Sequence, residues 1–178
     1  MIIVFAVLGI SALNIFNNIN AQNTNDYAKR NFKFSALLAS AADDETITTT
    51  LAVSDVNAKA VRTLQKMFKD AHNVAWSETS DTYYSRFTNN GVDYRNFFSK
   101  NGNWVGGIQT YGENKMPHDV RETVKPVYYD YTITLVEEVN LPAQLPVYVV
   151  HMEDGNSIKN ICVQNGEMKV LEEFEKTK

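Results

Sequence analysis

"SKNGNWVGG", residues 99–107, decides the fold. Asn101-Gly102 stands between the strand-like runs "VDYRNFF" and "NWVGGIQ". Asn-Gly supplies the positive φ angles that a two-residue hairpin turn requires, so the two runs should pair antiparallel. Working backwards, "TYYSRFT" and "NVAWSE" have the same period of two, broken at Asn89-Asn90-Gly91 and Ser80-Asp81. Together these runs predict an antiparallel meander of four strands. A helix should precede it: Val61, Leu64, Phe68 and Ala71 fall on one helical face, and Lys59, Arg62, Lys66 and Lys69 mainly on the other. Ser54 or Asp55 is positioned to cap it.

The same corner recurs in "VQNGEMKVL", residues 163–171, where Asn165-Gly166 lies 64 residues after Asn101-Gly102. Asp154-Gly155 follows Asn90-Gly91 at the same interval. Between them Pro117 suits the first turn of a second helix, with Val120, Val124, Val127 and Tyr128 as its apolar stripe. Pro126 should end that helix near Lys125. The runs "YTITLVEEV", "PVYVVHM", "SIKNICV" and "EMKVLEEF" then read as strands. The expectation is an α+β chain built as a tandem repeat of a helix plus a four-stranded antiparallel meander. Its units would be 55–112 and 113–178.

Ahead of them, "MIIVFAVLGISALNIF" is too short an apolar run to span a bilayer and, with "INAQ" after it, reads as a signal peptide over 1–21, cut after Ala21. It lacks a Lys or Arg before its apolar core. Residues 22–54 carry no sustained period and read as a flexible leader, in which "TITTTLAV" could add an edge strand. The expected location is periplasmic or secreted, with no stable membrane span after cleavage.

Composition narrows the function classes. A formal charge of −4 leaves no clustered Lys and Arg for nucleic acid. Cys162, the only cysteine, permits no intrachain disulfide and reads as a buried small hydrophobe. His72, His118 and His151 lack metal-ligand spacing, so no metal and no cofactor is expected. Glu137-Glu138 and Glu172-Glu173 are strand neighbours that point to opposite faces, better read as solvated edges than as an acid/base pair. Gly106-Gly107 reads as a bulge, not a phosphate loop. No catalytic residue emerges.

The stretch "NAKAVRTLQKMFKDAHNVAWSETSDTYYSRFTNNGVDYRNFFSKNGNW" resembles the PepSY-like, β-lactamase-inhibitor-like (BLIP-like) domains of exported bacterial envelope proteins. "TYGENKMPHDVRETVKPVYYDYTITLVEEV" is similar to the linker and second helix of their tandem members. The resemblance spans about residues 55–175. It implies a tandem α+β fold and a non-enzymatic role, inhibiting or modulating a secreted or envelope protein through a sheet face. No contact residue is carried over from it.

What the residues themselves offer is aromatic surface. Tyr83 and Phe87 should face one way, Tyr84 and Arg86 the other, leaving tyrosine exposed beside Arg86 or Arg95 if helices cover one face. Tyr, Trp and Arg favour protein-binding hot spots, so Tyr84, Arg86, Arg95 and Trp104 are the candidate partner-binding residues. The alternative left open is a sensor that holds a peptide or small ligand at the seam between the units.

Overall fold

The computed structural model describes residues 49–177. The expected signal peptide over 1–21 and nearly all of the expected leader lie outside those residues. Nine strands follow among the described residues: β1 (Thr49–Leu51), β2 (Ala75–Glu78), β3 (Thr82–Asn89), β4 (Val92–Ser99), β5 (Trp104–Tyr111), β6 (Thr132–Asn140), β7 (Val147–Glu153), β8 (Ser157–Gln164) and β9 (Glu167–Glu175). Helix α1 (Ala58–Met67) precedes β2, and the shorter α2 (His118–Val124) precedes β6. Each pair of successive strands is antiparallel, and all nine form one sheet in chain order.

That topology corrects the tandem repeat. β5 pairs with β6 from Gly107↔Asn140 to Tyr111↔Val136, so the sheet runs unbroken where two sheet units were expected to part. An Asn-Gly turn fixes only its own hairpin. It carries no information about whether the next strand, 20 residues on, starts a new sheet or extends the old one.

Both helices lie on one face, over two adjoining parts of the core. Under α1 the fully buried set is Val56, Ala60, Leu64, Trp76, Phe87 and Phe98. Under α2 it includes Val120, Val124, Val136, Val150 and Ile161. The α1 cap is Asn57, not Ser54 or Asp55: its Oδ1 accepts from the Lys59 amide at 2.9 Å. Residues Val53–Asp55 form a 3-10 turn instead. Pro117 occupies the N-cap of α2, and the helix stops at Val124, two residues before Pro126. That stop is what a missing N–H and a ring clash should produce.

The opening stretch is tied to α1. The Asn57 Nδ2 donates to the Lys100 carbonyl (3.0 Å), and Lys59 Nζ to Asn103 Oδ1 (2.6 Å), so the β4–β5 hairpin and the helix start hold each other. Gly102 has φ +77°, and a Cβ there would lie 2.8 Å from Lys59 Cβ and 2.9 Å from the Ala60 nitrogen. Gly166 has the same φ with nothing within 4 Å. Gly166→Ala should therefore cost only the backbone strain, about 1 kcal/mol, and Gly102→Ala about 1–3 kcal/mol more from the clash. Urea midpoints of the two variants at unchanged m-value check this; equal losses would mean the contact with α1 yields freely.

Candidate functional site

Strand alternation puts two different polar constructions on the two faces of the sheet. On the face opposite α1 and α2, a chain of side chains has members on five strands, β4 and β6 to β9. Arg95 Nη2 on β4 donates to Glu137 Oε1 on β6 (3.2 Å). Glu137 Oε2 meets His151 Nε2 on β7 (3.3 Å), and His151 Nδ1 meets Asn160 Oδ1 on β8 (2.7 Å). Asn160 Nδ2 donates to Glu172 Oε2 on β9 (2.8 Å). Glu137, His151 and Asn160 are all buried. Burial alone would raise the Glu137 carboxyl, but the hydrogen bond and charge of His151, with Arg95 beside it, hold it below the ordinary carboxylate value. The solvated-edge reading of Glu137 is thus overturned, although Glu137 and Glu138 do point to opposite faces.

The sequence reading passed over this chain because its members are distant in sequence and none matches a ligand spacing. A usable signal was present. His151 and Asn160 flank the Asp154-Gly155 turn closely enough for the β7–β8 hairpin to set them opposite each other. That turn is shaped less by glycine than by Asp154, whose Oδ1 accepts from the amides of Asn156 (2.8 Å) and Ser157 (2.6 Å). Cys162, in β8, is buried as expected, and burial pushes its thiol up to about 11 despite Lys169 nearby.

The four candidate partner-binding residues divide. Arg86 is exposed and Arg95 half-buried, and they face each other across β3 and β4. Tyr84 is on the same face but only 6% exposed, edge-on to Phe97 at 5.3 Å, which corrects the expectation of an exposed tyrosine. Trp104 is on the other face, half-buried against the core under α1. The bulge between Phe97 and Phe98, opposite Gly106, sets that placement. Tyr84, Arg86 and Arg95 therefore stand together, and Trp104 does not join them.

The second construction is a cleft of about 350 Å³ on the helix side, where β4, β5 and β6 meet the end of α1. Met67, Phe68, Asn96, Trp104, Gln109 and Asn140 line it. In register, Asn96, Gly107 and Asn140 form one row, and Tyr94, Gln109 and Glu138 the next. Glu138 accepts from Tyr111 Oη (2.8 Å) and Asn140 Nδ2 (3.0 Å), and burial together with Glu138 pushes the Tyr111 hydroxyl up.

No protein-family model matches the chain, and no curated protein does. Solved structures do. A DUF2874 family protein from Bacteroides ovatus superposes with a TM-score of 0.54 at 20% identity, over 67% of this chain and 87% of that one. A BLIP-like protein from Bacteroides fragilis gives 0.56 at 19% identity, over 75% of this chain and 92% of that one. The fold is BLIP-like. A candidate periplasmic protein from Bacteroides eggerthii shares it, with a TM-score of 0.53 at 22% identity over 67% and 88% of the two chains. At such identities the likeness is one of fold, so the two constructions above rest on this chain's own side chains. Among the described residues of this BLIP-like sheet no three His, Cys, Asp or Glu side chains are grouped to hold a metal. No described helix is long and apolar enough to cross a membrane.

Proposed function

We propose that the chain is an exported, non-enzymatic binding module that docks an acidic segment of a secreted or envelope protein across Arg86 and Arg95, modulating that protein. The observation that carries this reading is the Arg86↔Arg95 pair. Two like charges directly opposite each other on neighbouring strands destabilise a sheet. Glu137 offsets Arg95, whereas Arg86 has no ionic partner among the described residues. A cost left standing on an exposed strand face is what a site kept for a partner's carboxylates would show. The BLIP-like neighbour and the candidate periplasmic neighbour support the protein-binding and export parts of the proposal. The PepSY-like side of the resemblance rests on the order of the aromatic strands. His151 supports the non-enzymatic part, since both its ring nitrogens are engaged inside a buried chain.

Tyr84 and Phe97 act here as the packed support beneath the arginines. The test uses the purified chain as bait in envelope extract, beside Arg86→Glu. Specific capture should be released by raising salt. Charge reversal should lower it by about tenfold or more and leave melting nearly unchanged, because Arg86 is a surface side chain. Capture that survives Arg86→Glu would sink the proposal. When the captured protein is an enzyme, its rate with and without the added chain decides whether docking restrains it.

A further inference from the structure

The side-chain network that begins at Arg95 has a fixed protonation, and through it a regulation of docking that rests on the acidic-segment reading above. The directions of its hydrogen bonds place the protons. A Glu172 carboxylate oxygen only accepts, so Asn160 turns its NH₂ to it at 2.8 Å and its Oδ1 to His151. That oxygen also only accepts, so His151 Nδ1, 2.7 Å away, carries a hydrogen. On the other side, His151 Nε2 lies 3.3 Å from Glu137 Oε2. Against the pull of burial, the hydrogen bond and charge of His151, with Arg95, keep the Glu137 carboxyl below its ordinary value, so it is ionised and it too only accepts. Both ring nitrogens must therefore donate, and a neutral imidazole has one N–H. The network is complete only when His151 is the imidazolium.

Loss of one proton has a defined consequence. The shorter contact holds the hydrogen at Nδ1, so the one that leaves for solvent is at Nε2, and a lone pair then faces the Glu137 carboxylate. Two buried acceptors set against each other repel and stay unpaired. Glu137 is then left with one cation, Arg95, which it meets through Oε1 at 3.2 Å. With His151 charged, Glu137 is shared between two cations, and Arg86, Arg95, Glu137 and His151 together carry two positive charges in excess. With His151 neutral they carry one. An incoming carboxylate competes with Glu137 for Arg95, so the first state receives it better. The other ionisable groups around His151 on this face do not imitate the effect. Glu153, two residues along β7, is paired with Lys176, and Glu172 is bonded to Asn160. Lys169 stands opposite Cys162, whose thiol burial pushes up to about 11. Histidine is the side chain whose charge ordinarily changes between about pH 5 and 8.

We propose that His151 is a proton-operated regulator of the arginine pair: protonated at both ring nitrogens it shares Glu137 and leaves Arg95 able to take an acidic partner, and on losing the Nε2 proton it hands Glu137 wholly to Arg95, so the acidic segment docks more tightly at mildly acidic pH. The test follows the ¹⁵N-labelled full chain by two-dimensional NMR, with N-acetyl-tetra-aspartate amide as the acidic probe. In the chain alone, the Arg95 Nε–H signal should move with pH in step with the His151 ring nitrogens. At about pH 5.5, where aspartate is still ionised, the probe should bind roughly fivefold more tightly than at about pH 8. His151→Gln, uncharged throughout, should bind it equally at the two, with the weaker affinity. Because that variant interrupts a buried network and can fail to fold, the signals of the unmutated chain decide by themselves. An Arg95 signal indifferent to the His151 titration would overturn the proposal. Probe binding as tight at the higher pH as at the lower would overturn it too, while leaving the docking reading intact. So would a His151→Gln chain that kept the full pH dependence. No probe binding at either pH, with Arg95 still following His151, would instead remove the docking reading and establish the coupling by itself.

Discussion

Glu137→Ala should destabilise the chain by about 3–5 kcal/mol, the usual loss when one member of a buried charged pair is removed and the other stays behind. The reason lies in what it leaves. Glu137 is bonded on one side to Arg95 and on the other to His151, and its side chain is only 9% exposed. Without it, the His151 ring keeps Asn160 at Nδ1 but faces an emptied space at Nε2, and Arg95 loses the carboxylate that offsets Arg86. The pH dependence separates this account from a loss of packing. The Glu137 carboxyl is held below its ordinary value in the folded chain, so the unfolded chain binds its proton first as the pH falls. Its contribution is therefore complete above the ordinary carboxyl range, about pH 4–5, and is lost as pH falls through the lower folded value. Urea denaturation of the wild type and Glu137→Gln from pH 7 down to pH 3 checks it. The stability gap should be widest near neutrality and close on acidification. Asp154, whose carboxyl is also lowered, mainly by the Asn156 and Ser157 amides, titrates in both proteins and cancels in the comparison. A gap that stays constant with pH would show that the carboxylate charge does not stabilise the fold.

What could be read in advance follows from the range over which each signal acts. The hairpin turns were legible because their cause is local. Asn90-Gly91 and Asn165-Gly166 carry positive φ at both residues, and Gly102 at the second position of its turn. The α1 stripe was legible for the same reason, through Leu64 and its neighbours. Alternation assigned Tyr84 and Arg86 to one face correctly, because a period of two is a property of the strand alone. It could not say how deeply Tyr84 would be buried, since burial depends on what lies above the sheet. Nor could it count sheets: the β5–β6 pairing joins segments separated by α2 and by turns on either side of it. The face of Trp104 depends on one extra residue. Val105 is inserted between Trp104, which pairs with Phe98, and Gly106, which pairs with Phe97, so strict alternation back from Gly106 would put Trp104 on the wrong face. The chain from Arg95 to Glu172 was hidden because it runs across the strands, perpendicular to any spacing visible along the sequence.

Phe98→Ala is the other change from which a large effect is expected, a loss of about 3–5 kcal/mol. Phe98 is 0% exposed and packs against Trp76 at 5.5 Å between ring centroids, in the cluster that holds Ala60 and Leu64 of α1. Its neighbours are poorly placed to fill the void. Trp76 is held in β2, Ala60 has no side chain to extend, and the start of α1 is fixed to the β4–β5 hairpin through Asn57. For a domain of this size, such a loss lowers the melting temperature by roughly 10–20 °C. Phe98→Leu, which keeps most of the volume, should cost well under half as much. The same substitution bears on the two faces differently. Phe98 pairs in register with Trp104, a wall of the cleft, so Phe98→Ala should also disturb the Trp104 indole resonance at temperatures where the chain is still folded. The arginine pair stands on the opposite face, and capture through Arg86 should persist under those conditions. Calorimetric melting, the indole N–H shift and bait capture on one preparation make the comparison. If capture and the indole signal fail together well below the melting point, the two faces do not act independently.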